Sequence, residues 1–167
     1  MMCNRIFLSL CVLYTLSPPV IQGQRMDNTR LYQILQSVSD SVEGSTGMWQ
    51  LKYNDRIMLV ITDESHDRMR IISPVEVMDE VTLNQMEEAM IANFHSSLDV
   101  RYAISDEILW TAFIHPLKAL SESQVRDALL QVYRAAETFG STYSSSELVF
   151  PRTKSKKGVG ADEKKKM

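Results

Sequence analysis

The chain has 167 residues, of which 44% are hydrophobic and 23% charged, a globular composition with room for one buried core and not that of a disordered protein. The formal net charge of −3 is unevenly placed: Arg152, Lys154, Lys156, Lys157, Lys164, Lys165 and Lys166 crowd the last residues against Asp162 and Glu163, which leaves the body acidic. An acidic body repels phosphate and argues against a nucleic-acid-binding domain.

Residues 1–23 read as a signal peptide. Met1 to Arg5 form a short basic head, Ile6 to Leu16 an apolar run broken only by Ser9 and Thr15, and Pro18 and Pro19 end it. A bilayer-crossing helix needs about 20 apolar residues, so the run fits a cleaved secretory signal better than a membrane anchor. The expected protein is exported and periplasmic, has no stable membrane span, and begins after Gly23. Cys3 and Cys11 both fall in the removed segment, so the mature chain has no cysteine for disulfides, thiol chemistry or metal binding.

Further along, Leu31, Ile34, Leu35, Val38 and Val42 recur at helical spacing from a start near Asp27, and Gly44 and Gly47 are expected to stop the helix. Met48 to Tyr53 and Arg56 to Thr62 are strand-like and joined by Asn54-Asp55, a two-residue hairpin turn. A third strand is expected from Arg68 to Ser73, ended by Pro74. Thr82 and Gln85 form a capping box that opens a second helix with Leu83, Met86, Met90, Ile91, Phe94 and Leu98 on its apolar face. A second hairpin follows: Val100 to Ile104 and Ile108 to His115, across a turn read as Ser105-Asp106-Glu107. The last helix opens with a capping box from Ser121 to Gln124, carries Val125, Ala128, Leu129, Val132, Ala136 and Phe139, and closes at Gly140. Tyr143 to Phe150 is a candidate extended segment. Residues 152–167, without an aromatic residue, read as a disordered basic tail, with contact to an anionic surface as the sharper alternative.

The predicted order is αβββαββα: an α+β fold with an antiparallel sheet of about five strands and three helices, in one domain over residues 24–151. Within it, Leu98-Asp99-Val100-Arg101-Tyr102-Ala103-Ile104, then Leu109-Trp110 and Phe113-Ile114-His115-Pro116-Leu117, resembles the second hairpin of YbjN-like proteins, relatives of the type III secretion chaperones. The resemblance covers roughly Asn28 to Pro151 and is specific at the hairpin. It implies a secretion-chaperone-like fold, binding of a client peptide or protein, a homodimer and no cofactor. Secretion chaperones are cytoplasmic and need no basic tail, and here the sequence departs from them.

Alternation along the strands gives the sheet two faces. Leu51 opposite Met58 and Trp49 opposite Val60 suit the helix-covered side, which sends Ile57, Leu59 and Ile61 to the other. A three-residue second turn puts Val100, Tyr102, Ile104, Ile108 and Trp110 on one side and Leu109 and Phe113 on the opposite one. Ile57, Leu59, Ile61, Leu109 and Phe113 are therefore the candidate peptide-binding or dimer face, with coverage by the last helix as the plainer reading. Met78, Met86 and Met90 are flexible side chains suited to varied ligands, although a helical methionine stripe is more often core.

Catalysis finds little support. No nucleophile elbow, phosphate loop or dinucleotide fingerprint is present, and His66, His95 and His115 are scattered. His66 lies in the polar run Asp63 to Asp67, where Asp63, His66 and Asp67 would be the first catalytic suspects. The reading is a non-catalytic binding module without metal or cofactor, the alternatives being a small-ligand or lipid-binding envelope domain or a structural subunit of an envelope assembly.

Overall fold

The computed structural model describes residues 25–147. The expected signal segment 1–23 and the expected basic tail 152–167 lie outside the described residues. Helix α1 spans Asn28–Val38, α2 Leu83–His95 and α3 Glu122–Glu137; the strands are β1 Ser41–Ser45, β2 Met48–Tyr53, β3 Arg56–Asp63, β4 Arg68–Val77, β5 Val100–Ser105 and β6 Ile108–His115. All strand pairs are antiparallel, in the order β1-β2-β3-β4-β6-β5.

The helix starts are set by their first residues. Asp27 accepts the Arg30 amide at 2.8 Å. In both α2 and α3 the cap hydroxyl accepts the amide three residues on while the glutamine returns a carbonyl oxygen to the cap amide. Each such cap is worth about 1 kcal/mol, because it satisfies donors that have no partner within the helix.

Helix α1 is shorter than the periodicity suggested. The hydroxyls of Ser37 and Ser39 donate to the carbonyls of Ile34 and Leu35 at 2.7 and 2.6 Å, closing the last turn. Val42 belongs instead to β1, opposite Leu51, so the sheet has six strands. Gly44 lies within this added strand at φ +120°, and a Cβ there would stand 2.4 Å from the Met48 carbonyl oxygen. Gly44 and Gly47, expected to stop a helix, build a hairpin instead. Pro74 likewise does not end β4: the strand runs on to Val77 through an irregularity between Pro74 and Glu76, where an imino acid is tolerated.

Helices α1 and α3 lie on one sheet face. Trp49, Leu51, Met58, Val60, Met69 and Ile71 meet Leu31, Ile34 and Leu35 from α1 and Val125, Leu129 and Val132 from α3 in one buried core. Full burial of each such side chain contributes about 1.5–3 kcal/mol. Tyr102 ties β5 to α3, its hydroxyl donating to the Ala135 carbonyl at 2.7 Å; burial pushes this phenol up to about 12.

Helix α2 runs beside the sheet edge. The Asn93 side chain accepts the Tyr102 amide at 2.7 Å and donates to the Tyr102 carbonyl at 3.2 Å, as a neighbouring strand would. The chain after α3 returns to the end of α2, where Ser96 donates to the Tyr143 carbonyl at 2.6 Å and the Ser145 amide to the Ser96 carbonyl at 3.1 Å. Residues 143–147 form no strand, and the rest of the expected extended segment lies outside the described residues.

Replacement of Gly44 by Ala is expected to destabilise the chain by roughly 1–3 kcal/mol, the cost of holding a side chain in a backbone region it avoids. Urea denaturation of the two proteins checks this.

Candidate functional site

The uncovered side of the sheet is built by strand alternation. Cross-strand partners share a face, so three rows can be followed across it. One holds Gln50, Leu59, Ile72, Ala112 and Arg101; a second Met48, Ile61, Arg70 and Ile114; a third Lys52 and Ile57 and, beyond β4, Trp110 and Ala103. Met48, Ile57 and Ile114 are exposed, while Leu59, Ile61, Ile72 and Trp110 are half-buried against one another. The apolar part covers β3, β4 and β6, about 10 Å across and about 14 Å along the strands.

Ile57, Leu59 and Ile61 stand on this open face, where alternation placed them. Leu109 and Phe113 do not. They are 2% and 5% exposed, on the helix-covered side with Val100 and Tyr102. The cause is one residue of turn length. The second hairpin turns on Asp106 and Glu107 alone, at φ +51° and +60°, so that Ser105 pairs with Ile108 and Ile104 with Leu109. Counting Ser105 into the turn shifts the register by one and exchanges the faces of β6 relative to β5. Trp110, Ala112 and Ile114 therefore replace Leu109 and Phe113 on the open face. The asparagine-aspartate turn at residues 54–55 has the same positive φ values, and its conspicuous sequence is why the first hairpin was legible.

A second exposed apolar surface lies on α2. Leu83, Met90 and Phe94 are 82%, 63% and 83% exposed on one stripe, whereas Ala89 and Ala92 face inward. Small inward residues let the helix lie close to the sheet edge, and the large ones point away from it. The expected apolar face of α2 is thus largely not core. Met86 and Met78 are half-buried and Leu98 is half-buried beyond the helix.

The polar run between β3 and β4 holds the fold together. Asp63 accepts from the Ser65 hydroxyl at 2.5 Å, from the His66 ring at 2.6 Å and from the His66 amide at 3.0 Å. The Ser65 bond first, then the two from His66, keep its carboxyl far below the usual carboxylate range. Glu64 accepts the Asn28 amide at 2.8 Å, and Asp67 accepts the Lys118 amide at 2.7 Å. Of the three catalytic suspects, Asp63 and His66 thus bond within the run itself and Asp67 fastens the segment after β6, while their neighbour Glu64 holds the start of α1. Among the described residues no three His, Cys, Asp or Glu side chains converge as a metal site. His95 stacks edge-on against Phe94, and His115 lies parallel to Phe113.

Two concavities open to solvent. One is lined by Asn28, Thr29, Tyr32, Gly44 to Thr46 and Trp49, the other by Asn54 to Ile57, Pro74, Tyr133 and Glu137. Neither is an apolar chamber between sheet and helices. No helix among the described residues is long and apolar enough to cross a membrane.

A chain in the crystal structure of the Yersinia pestis type III secretion chaperone SycH in complex with a stable fragment of YscM2 superposes at a TM-score of 0.53 with 12% identity, over 67% of this chain and 98% of that one. A chain in the structure of the HopA1–SchA chaperone–effector complex gives 0.53 and 11%, over 66% and 90%. The fold resembles that of the type III secretion chaperones. No protein-family model matches the sequence, and no curated protein matches it.

The two faces predict opposite responses to charge. Leu109→Asp or Phe113→Asp is expected to cost several kcal/mol or prevent folding, because each buries an unpaired carboxylate. Ile114→Asp, at a side chain 59% exposed, is expected to change stability by only about 0.5 kcal/mol. Chemical denaturation of the three variants distinguishes them.

Proposed function

We propose that this protein is an exported, non-catalytic, chaperone-like module that holds segments of client proteins on the open face of its sheet. The observation that carries the reading is the apolar patch of Ile57, Leu59, Ile61, Ile72, Trp110 and Ile114, which neither α1 nor α3 covers. An apolar surface of this kind on a soluble domain marks an interaction site. The fold likeness supports a protein client, since both similar structures are described as complexes of chaperones with other proteins. The concavities open to solvent, with no enclosed chamber, favour it over a small-ligand or lipid pocket. The β5–β6 stretch that resembles YbjN-like proteins supports kinship with that branch.

The same reading makes the protein a homodimer joined through α2. Leu83, Met90 and Phe94 form a stripe facing away from the core, and a two-fold pairing of identical stripes would bury both at once. Export rests on the sequence of residues 1–23, and the periplasm is its destination on this reading.

The test is recovery of proteins with the tagged chain from the soluble envelope fraction of its own cells, with Leu59→Asp in parallel. Protein partners are expected with the native chain and lost with the folded variant; partners retained at full yield by Leu59→Asp would remove the open face from the function. Phe94→Asp is expected to halve the mass measured by light scattering, while Leu59→Asp leaves it unchanged. Intact-mass analysis of the same material is expected to give an N-terminus near Gln24; an intact Met1 would refute export.

A further inference from the structure

The open face has an apolar middle and unequal ends, and the inequality defines the chemistry of what lies on it. We propose that the occupant is an amphipathic helix whose apolar stripe is flanked by carboxylates, with its acidic end over Arg68, Arg70 and Arg101. The proposal rests on the reading of this face as the client site and adds the partner's class.

Backbone hydrogen bonding selects a helix. The N–H and C=O groups of β3, β4 and β6 are already paired with strands on both sides. A segment lying over them receives no backbone partner, so it must satisfy its own groups, as a helix does and an isolated strand does not. The strand-addition route is narrow: Asn93 occupies the Tyr102 backbone on one edge, and the other edge is the short, polar β1, Ser41–Ser45. Size agrees. A patch about 14 Å long accepts about nine residues of helix at 1.5 Å per residue, and its width of about 10 Å matches a helix diameter.

Charge selects carboxylates. Arg68 and Arg70 lie on β4, opposite Asp63 and Ile114, at the end of the open face where β3 finishes, and Arg101 flanks that end from β5, one row nearer the middle, opposite Ala112. Arg68 donates to the Asp67 carbonyl, and Arg101 to the carbonyls of Leu98 and Val100. These partners are neutral, and among the described residues none of the three guanidinium groups is ion-paired to a carboxylate. Of the nearby acids, Asp63 stands opposite Arg68 and offsets it in part while its oxygens bond to Ser65 and His66, and Glu43 stands at the far margin on β1 opposite Gln50, so the excess positive charge lies with Arg70 and Arg101. The other end of the face carries Asp106 and Glu107 in the turn, and Asp55 paired with Lys52 at 2.7 Å. A helix with its C-terminus over the arginines aligns its own dipole with this field. The chain's own apolar run, Ile6 to Leu16, meets the apolar requirement and fails the charge requirement, since residues 1–24 contain no Asp or Glu.

The experiment titrates the full chain with two synthetic helices that share one leucine stripe, flanked by Glu in one and by Lys in the other. Anisotropy of labelled peptide and the change in tryptophan fluorescence, to which Trp110 on the open face contributes, report binding. The Glu helix is expected to bind about tenfold tighter, with the advantage shrinking at high salt as screening weakens the arginine field. Arg70→Glu is expected to reduce or reverse the preference and Arg70→Gln to weaken it, both with unchanged circular dichroism, while Leu59→Asp removes both peptides. Equal binding of the two helices, lost in Leu59→Asp, overturns the acidic preference and leaves the face as a client site. Binding of neither, or binding that survives Leu59→Asp, overturns both readings. A dimer that Leu59→Asp dissociates and Phe94→Asp does not would assign the face to a second copy and overturn both as well.

Discussion

The period of two along a strand, locked into register by two-residue turns, is the constraint on which the rest of this molecule depends. Once residues 54–55 and 106–107 take left-handed backbone conformations, every side chain of β2, β3, β5 and β6 is assigned a side. One side gathers Trp49, Leu51, Met58, Val60, Leu109 and Phe113 beneath α1 and α3 and supplies the core. The other receives what remains. That remainder is apolar along β3, β4 and β6, so the same register that completes the core also creates an unsatisfied surface.

Legibility in the sequence followed the strength of local chemistry. The capping residues of α2 and α3 and the asparagine-aspartate turn announce themselves because each satisfies a specific backbone requirement within three or four residues, and the structure realises them at the expected positions. The second turn was misread because Ser105 is as polar as Asp106 and Glu107, and polarity does not say where pairing stops. That single residue moved Leu109 and Phe113 to the wrong side. The helix-to-strand change after Val38 is hidden for a related reason: Val42 continues a helical spacing by coincidence, while the deciding features, serine hydroxyls that take the last helical carbonyls and Gly44 pressed against the strand that returns beside it, leave no mark in the apolar periodicity. On α2, periodicity identified the apolar stripe correctly but could not say that Ala89 and Ala92, rather than Leu83 and Phe94, face the sheet.

The two exposed apolar surfaces differ in shape, and the difference suits different partners. The stripe on α2 is narrow, convex and apolar, a geometry that packs well against a copy of itself. The sheet face is broad and bordered by arginines at one end, a geometry that accommodates an unlike chain and orients it. Because they occupy an edge helix and the open side of the sheet respectively, one can be engaged while the other stays available, as the proposed client-carrying dimer would require.

Asn93 bears on a hazard that any protein with a sticky sheet must meet. A bare edge strand next to an apolar face is a template on which further chains can stack, and such growth ends in fibrils. By holding both backbone groups of Tyr102 from a helix, Asn93 denies that template at the middle of β5 without covering the face beside it. One carboxamide thus blocks strand addition at the middle of β5 while the apolar face beside it stays uncovered, so edge protection and face exposure are set by separate residues.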